Sequence, residues 1–411
     1  MRRMTYALTP WVVALLLSAC GARQTKLDPV DEALARGDVE TLEMEPLIIH
    51  GHVGPDGKVQ TRSVELRNLF DEASAYYQAD DHVNAIRLYQ MVLDATDEDI
   101  WSKAAMYNMG LAWEALEAWE EAAQTFDDII EFFPTSQEAR DAHFRLAEAL
   151  AWLGEFQRIP PLMTTAMQRP DLTIDRRLEA LVRSGTAYFE LRKFTDAERQ
   201  LGQALTLDER SREEDTRAGR PVRRGSVATS GIAQANFLLG RIYHEIFLEI
   251  RMVLPVERYK QDLGDKQRLY EQAIEWYTRA VRTGSVYWAP QAGYMIGKLY
   301  EDYYFDILAS EVPATFTPEQ HEIYFDAMRE FLAPGLKRAI EMYEQALGMG
   351  YRMGSQDPVL DLTLETIERL KKYRDQQLGW AEEHQQIIDG THPRSPNPGA
   401  GMVFRHELSA P

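Results

Sequence analysis

The residues of this chain that could bind a metal are few and scattered. His50 and His52 alternate along one face of a predicted strand. A metal site needs at least a third ligand, and no other candidate ligand lies at a sequence spacing typical of such a site. His321-Glu322 is not followed by a second histidine at the spacing of the zinc-protease motif. We therefore expect surface histidines and no bound metal.

Catalytic side chains are equally sparse. No Ser/His/Asp arrangement, glycine-rich phosphate loop or paired-cysteine pattern stands out. The carboxylates of Asp302 and Asp306 would suit a hydrolase if they stood about 5 to 10 Å apart across a cleft. The basic string at 219–226 is typical of a solvated loop. The sequence therefore predicts no enzyme and no cofactor.

The most informative reactive side chain is that of Cys20, the single cysteine of the chain. Arginines at positions 2 and 3 precede a short apolar run, 11–17, which leads into the tetrad Leu17-Ser18-Ala19-Cys20. This charge, length and small-residue pattern is typical of a signal peptide, and the run is too short to span a bilayer as a helix. A lone cysteine cannot form a disulfide within the chain.

The tetrad resembles the lipobox of bacterial lipoproteins, in which the cysteine becomes the lipidated first residue after cleavage. The resemblance implies acyl chains on Cys20, and because each buried methylene contributes about 0.8 kcal/mol, the anchor would be essentially permanent. Gly21 stands where an inner-membrane retention signal would place aspartate, which favours the outer membrane and a periplasm-facing body. The alternative is an ordinary secretory peptide with a chance cysteine.

The composition is acidic. The chain has 65 acidic and 45 basic residues, and loss of Arg2 and Arg3 with the leader would change its formal net charge from −20 to −22. This charge disfavours nucleic acid as a partner, because phosphate backbones require the opposite sign. No second apolar segment approaches membrane-spanning length, so we expect lipid contact only at Cys20 and the tether after it.

A small residue followed by large apolar side chains recurs six times along the chain. The clearest copy has Gly110 and Trp113, then Ala122 and Phe126, then Pro134. It resembles the tetratricopeptide repeat pattern W-x-x-L-G-x-x-Y, A-x-x-x-F, P. The spacing suits two antiparallel helices that pack so closely that only a small residue fits at the crossing. The resemblance implies an all-α solenoid of about six helical hairpins with a concave inner surface.

The later copies depart from this pattern. Pro160 and Pro161 fall at the start of the second helix of the third copy, so we expect that helix to be short or displaced. The fifth and sixth copies, which open with Gly240 and Gly297, are split by insertions at 244–270 and 302–336. The aromatic content of the insertions predicts extended helices that pack against the solenoid. Beyond them, an amphipathic capping helix is predicted over 358–377, with Leu360, Leu364, Ile367 and Leu370 on one face.

Two extended runs flank a Pro-Asp-Gly turn before the first repeat and predict a small β-hairpin, which either leans on that repeat or adds a strand to a partner. The predicted organisation is a lipoprotein signal peptide (1–19), a lipidated cysteine and tether (20–46), the hairpin (47–63), repeats one to four (64–209), a flexible loop (210–231), repeats five and six with insertions and cap (232–378) and a mostly disordered tail (379–411).

The first helix of each pair shows the same positions to the concave side in the family that this chain resembles. Aromatic residues recur one place after the first packing position, and they either form a ladder for a bound peptide or pack between adjacent repeats. Glutamates between them suggest a partner of basic or amide character, although a solvated acidic surface would look the same. Carried over by register, the partner-binding positions are Phe70, Tyr77, Tyr107, Glu114, Phe144, Glu148, Trp152, Phe189, Glu190, Phe237, Arg241, His244, Tyr294, Lys298 and Glu301.

Two classes of function follow from these patterns. The preferred one is a non-catalytic scaffold or assembly lipoprotein at the periplasmic face of the outer membrane, which holds an envelope protein in its groove. It resembles the tetratricopeptide lipoproteins of barrel assembly, secretin assembly, secretion and surface motility. The alternative is a module that binds or coordinates the cell wall, for which Trp152 and Glu148 would supply an aromatic platform beside a carboxylate if both were exposed.

Overall fold

The computed structural model describes residues 47–53, 59–96, 99–220, 227–376 and 386. The signal peptide, Cys20, the tether and almost all of the predicted tail lie outside these residues. Two antiparallel strands, β1 (Leu47–Val53) and β2 (Val59–Glu65), form the predicted hairpin, with Leu47 opposite Glu65 and Val53 opposite Val59. They belong to a first unit that ends at Arg67, and the second unit begins at Asn68.

The rest of the described chain is helical, which confirms the all-α prediction. A short 3₁₀ turn, Phe156–Arg158, lies between the fifth and sixth helices. The α-helices are α1 (Leu66–Gln78), α2 (His82–Ala95), α3 (Asp99–Ala115), α4 (Trp119–Phe132), α5 (Gln137–Trp152), α6 (Ile159–Met167), α7 (Ile174–Glu190), α8 (Phe194–Arg217), α9 (Val227–Glu249), α10 (Val256–Arg282), α11 (Trp288–Leu308), α12 (Pro318–Arg352) and α13 (Val359–Asp375).

Successive helices pair in the second unit, and the odd-numbered helices also contact one another. The pairs α3 with α4, α7 with α8, α9 with α10 and α11 with α12 are the predicted repeats, and α3, α5, α7, α9, α11 and α13 touch in that order. We call the odd-numbered helices the first helices and their partners the second helices. Each first helix is therefore packed between its own partner and the first helices of the neighbouring repeats.

Glycine at the crossing of the two helices sets the register of four repeats. A Cβ atom placed on Gly110 would lie 2.6 Å from the ring of Phe126, and one on Gly240 would lie 2.5 Å from the ring of Tyr277. Gly297 meets Tyr343 in the same way, and Gly185 meets the aliphatic side chain of Leu201. These separations are far below van der Waals contact, so only hydrogen fits there. The predicted pairing of a small residue with a large one is confirmed.

The third repeat has the short second helix that its prolines predict. Helix α6 spans only Ile159–Met167, with Pro160 and Pro161 in its first turn. Proline is tolerated at this end because the first N–H groups of a helix have no partner within it. The buried side chains of Ile159 and Met163 still close the apolar core of this repeat.

Both insertions lengthen the helices of their repeats. Across 244–270, α9 continues to Glu249 and α10 begins at Val256, and across 302–336, α11 continues to Leu308 and α12 begins at Pro318. The two turns between the helices bind each other, because the backbone N–H of Leu254 donates to the Glu311 carboxylate at 2.8 Å. The insertions are thus extended hairpins, as their apolar content predicted.

Two details differ from the predictions. Helix α8 continues to Arg217, well into the predicted loop 210–231, because ion pairs one turn apart, such as Arg212 with Asp208 at 2.7 Å, stabilise this polar helix. In α13 the side chain of Leu364 is 42% exposed, whereas the other three predicted leucine and isoleucine positions are buried. No helix in the described ranges is long and apolar enough to cross a membrane.

Candidate functional site

The positions predicted to face a partner lie on the first helices, but most of their aromatic side chains are buried. Phe144, Phe189, Phe237 and Tyr294 all belong to the core. The guanidinium of Arg176, on the next first helix, lies 4.7 Å from the ring centroid of Phe144. These four rings do not form an exposed ladder, and their placement agrees with the alternative of packing between repeats.

The same covering arrangement recurs one repeat later. Arg241 of α9 lies 5.5 Å from the ring of Phe189 in α7, and Trp288 packs 5.2 Å from Phe237. A guanidinium over an aromatic face is stabilised by the ring quadrupole while its N–H groups stay free to bond sideways. Nearer the N-terminus, Phe70 and Tyr107 are only half-buried, each against the second helix of its own repeat.

Ion pairs cross each boundary between successive first helices from repeat two onward. Glu114 of α3 accepts from Arg145 of α5 at 3.3 Å, and Glu148 of α5 accepts from Arg183 of α7 at 2.7 Å. The next boundary brings Glu190 into electrostatic interaction with Arg241. The predicted glutamates are therefore neutralised within the protein, so they do not present the acidic surface that a basic partner would need.

The boundary between repeats five and six has a denser buried network. The Nε2 atom of His244 lies 3.0 Å from one carboxylate oxygen of Asp302, and its Nδ1 atom lies 3.3 Å from the hydroxyl of Tyr277. The other carboxylate oxygen of Asp302 binds the ammonium of Lys298. The partner-binding positions His244 and Lys298 are thus buried structural groups. Beside them, Glu301 accepts from the Tyr343 hydroxyl at 2.7 Å.

The carboxylates that suggested a hydrolase, those of Asp302 and Asp306, form ion pairs in this part of the protein. Burial alone would raise the pKa of Asp302, but Lys298 and His244 lower it to about 2. Asp306 forms an ion pair at 2.6 Å with Lys266, which is itself buried. With a pKa that low, the Asp302 carboxyl cannot act as a general acid near neutral pH. The two groups stabilise the extended hairpins.

Two glutamates of the first helices have pKa values well above the ordinary range of a carboxyl group. Burial raises the pKa of Glu114 to about 7, against the opposing effect of Arg145. Burial likewise raises the pKa of Glu190 to about 7, with Arg241 opposing. One carboxylate oxygen of each, Oε1, has no hydrogen-bond donor among the described residues, and the same holds for Glu148 Oε1. Desolvation without full pairing explains why the charged form is disfavoured.

Several arginines and tyrosines on the first helices of repeats one to four stay partly exposed. The side chains of Arg145 and Arg176 are 41% and 40% exposed, whereas those of Glu114 and Glu148 are 6% and 4% exposed. Tyr77 is half-buried against His82. Sequence reasoning missed both arginines, although the spacing of Arg145 and Glu148 along α5 indicates one helix face.

The platform expected for glycan binding is not formed by Trp152. Its ring stacks on Trp119 with the ring centroids 4.9 Å apart and the planes at 6°. Glu148, the carboxylate expected beside it, is buried and paired with Arg183. In the described ranges no group of three or more His, Cys, Asp or Glu residues is placed to hold a metal ion.

A family model supports the assignment of the second repeat. Residues 104–136, the second repeat, match the family model of the tetratricopeptide repeat. A tetratricopeptide repeat protein from Parabacteroides merdae is similar over 73% of this chain and 97% of its own, with 15% identity and a TM-score of 0.34. A TPR repeats protein from Bacteroides fragilis is similar over 75% of this chain and 99% of its own, with 14% identity and a TM-score of 0.28. No curated protein matches the sequence.

Proposed function

Because the chain carries a tetratricopeptide repeat, a class of repeat that mediates protein–protein interaction, we propose that it is a non-catalytic scaffold that holds a protein partner on its first helices. The binding surface is formed by Tyr77, Tyr107, Arg145 and Arg176, which we call the arginine face. It would act at the periplasmic side of the outer membrane within an envelope-spanning assembly. The partner is an envelope protein, and no cofactor other than the lipid is needed.

The observation that carries this proposal is the continuity of the arginine face over neighbouring repeats. Its members come from α1, α3, α5 and α7. Phe70 of α1 packs against Trp101 of α3 with the ring centroids 5.6 Å apart, and α3, α5 and α7 contact one another in turn. Repeats that stack in this way offer an extended surface on which a peptide can contact several units at once. Tyrosine and arginine are also the residue types most enriched at binding hot spots.

The location is proposed from the sequence alone. The leader, the tetrad Leu17-Ser18-Ala19-Cys20 and Gly21 at the next position support a lipid anchor in the outer membrane. An anchor would confine the scaffold to one membrane surface, which raises its effective concentration toward partners held on that surface.

Crosslinking in intact cells, followed by purification of a tagged full-length chain, tests the proposal. The variant Arg145→Gln/Arg176→Gln should lose a defined set of envelope proteins while its circular dichroism spectrum stays unchanged. The matched control is Arg199→Gln/Arg217→Gln, which removes two exposed arginines whose ion pairs in the described part of the chain lie within α8. Retention of the same partners by both variants would refute the arginine face, and recovery of wall fragments without protein would favour the cell-wall alternative.

A further inference from the structure

Three side chains of the arginine face converge from three successive first helices. Arg145 of α5 lies close enough to the Tyr107 hydroxyl of α3 and to Tyr77 of α1 to interact electrostatically with both. The guanidinium has five N–H donors in a planar fork, and each phenol adds one O–H donor. A guanidinium fork flanked by two hydroxyl donors matches a planar carboxylate.

Beneath the guanidinium lies a carboxylate that belongs to the protein. Glu114 Oε2 accepts from Arg145 Nη1 at 3.3 Å, which is longer than a usual charge-assisted hydrogen bond. Glu114 Oε1 has no donor among the described residues. The internal pair joins a buried carboxylate to a partly exposed guanidinium, and it is long and incompletely bonded, so Arg145 gives up little when it turns toward a better acceptor.

We propose, as an extension of the scaffold function, that the arginine face binds acidic peptides by exchange, with the peptide carboxylate replacing Glu114 as the partner of Arg145. The hydroxyls of Tyr77 and Tyr107 donate to the second carboxylate oxygen or to the neighbouring backbone. A proton from solvent then binds Glu114, so the buried carboxyl is left neutral when its cation is taken. Where Glu114 is ionised in the free protein, one proton is taken up for each peptide carboxylate bound in this way.

The exposure of the arginine side chains indicates a negatively charged partner. A ligand that approaches this surface meets the guanidinium groups of Arg145 and Arg176, each about two-fifths exposed, whereas their interrepeat partners Glu114 and Asp141 are only 6% and 23% exposed. A lysine-bearing peptide would have to displace Arg145 from the buried Glu114 and would leave that guanidinium without its counterion. This corrects the expectation of a basic partner, which rested on the glutamates alone.

The surroundings of Glu114 make the exchange dependent on pH. Arg145 and Arg183 lower the pKa of Glu114, Glu148 raises it, and burial raises it most, so that the carboxyl titrates at about 7. The phenols of Tyr77 and Tyr107 also face it and stay neutral in this range, since burial raises the pKa of both. A peptide that neutralises Arg145 raises the pKa of Glu114 further, which favours proton uptake.

Peptide binding should weaken as the pH rises above about 7. Below about pH 7 Glu114 is already protonated and does not compete, so binding is tightest there. Above that pH the carboxyl is ionised in the free protein, and each further pH unit should weaken binding by up to about tenfold. A variant that keeps the shape of a neutral Glu114 should show neither the competition nor this pH dependence.

An array of short peptides with blocked ends, in which each position carries Glu, Gln or Lys in turn, tests the proposal on the purified full-length chain. Binding should be enriched for Glu at one or more positions, and Arg145→Gln should abolish the enrichment. The double variant Arg145→Gln/Glu114→Gln, which leaves no unpaired buried charge, should do the same. A second array with free carboxyl ends distinguishes recognition of a chain terminus from recognition of a side chain.

The decisive variant is Glu114→Gln, measured by titration of the best Glu peptide between about pH 6 and pH 9. It should bind several-fold more tightly than the natural chain above neutral pH, with a flat profile, whereas the exposed control Glu131→Gln should behave like the natural chain. Preference for Lys peptides, or an equal pH slope in Glu114→Gln, would overturn the exchange while leaving the scaffold function intact. Absence of binding to every peptide would overturn both.

Discussion

Replacement of Gly240 by alanine tests the helix crossings on which the whole repeat register depends. The new Cβ atom would lie 2.5 Å from Cδ1 and 2.6 Å from Cε1 of Tyr277. That ring is fully buried, and its hydroxyl lies 3.3 Å from His244 Nδ1, so it cannot rotate away without breaking the network at the boundary of repeats five and six. Overpacking of this kind costs about 1 to 3 kcal/mol.

A matched control separates this strain from the intrinsic effect of alanine. Gly264 lies within α10 of the same repeat, and a Cβ atom placed there meets nothing within 4 Å. Alanine is preferred to glycine inside a helix by about 1 kcal/mol, and this gain applies at both positions. Gly264→Ala should therefore be about 1 kcal/mol more stable than the natural chain. Gly240→Ala should lie about 1 to 3 kcal/mol below the control.

Urea unfolding followed by circular dichroism would give the overall order of stability. Because repeats unfold with partial independence, amide hydrogen exchange within α9 and α10 gives the more direct local measurement. Faster exchange in these two helices is expected for Gly240→Ala and slower exchange for Gly264→Ala. If both variants shifted in the same direction by the same amount, the crossing would not be as close as described, and the register of the fifth repeat would be refuted.

Three further predictions concern the anchor, the buried network and the titrating glutamates. Cys20→Ala should move the mature chain from the membrane fraction to the soluble periplasmic fraction, and membrane retention after normal leader cleavage would refute lipidation. Asp302→Asn removes the negative charge that faces His244 and Lys298, and it should lower the free energy of unfolding by about 3 to 5 kcal/mol, measured by urea denaturation. The same change at the exposed Asp326 of α12 should be tolerated. Burial raises the pKa of Glu114 and Glu190 to about 7 in the folded chain, so the folded state holds extra protons and stability should fall as pH rises from about 4.5 to about 7. Glu114→Gln/Glu190→Gln should flatten this part of the profile, and an unchanged slope would contradict the assignment.

The sequence was sufficient to predict the helix pairs because their packing is local. A glycine and an aromatic ring must meet within one hairpin, so the spacing of Gly110 and Phe126 alone defines the contact. Pro160 and Pro161 limit α6 by their own covalent geometry. The lengthened hairpins were also predictable, because runs of aromatic and aliphatic side chains must be buried somewhere.

The candidate site could be predicted only in part, because exposure depends on the neighbouring repeat. Helical periodicity places Phe144 on the correct face of α5, but it cannot tell that Arg176 of the next first helix covers the ring. The glutamates suggested an acidic surface for the same reason, since their arginines lie more than thirty residues away in sequence. The polar end of α8 was missed because its stability comes from ion pairs between side chains rather than from an apolar stripe.

The direction of the interrepeat ion pairs limits how this protein could have grown by duplication. At the boundaries that follow repeats two and three, the acid lies on the earlier first helix and the arginine on the later one, as in the pair of Glu114 with Arg145. A copied repeat inserted there would find a partner of the correct charge on both sides. At the boundary that follows repeat five the order is reversed, because His244 comes first and Asp302 second. A repeat from the first half placed at that boundary would bring its glutamate against the carboxylate of Asp302, so exchange of units is expected within the first half of the array and not across it.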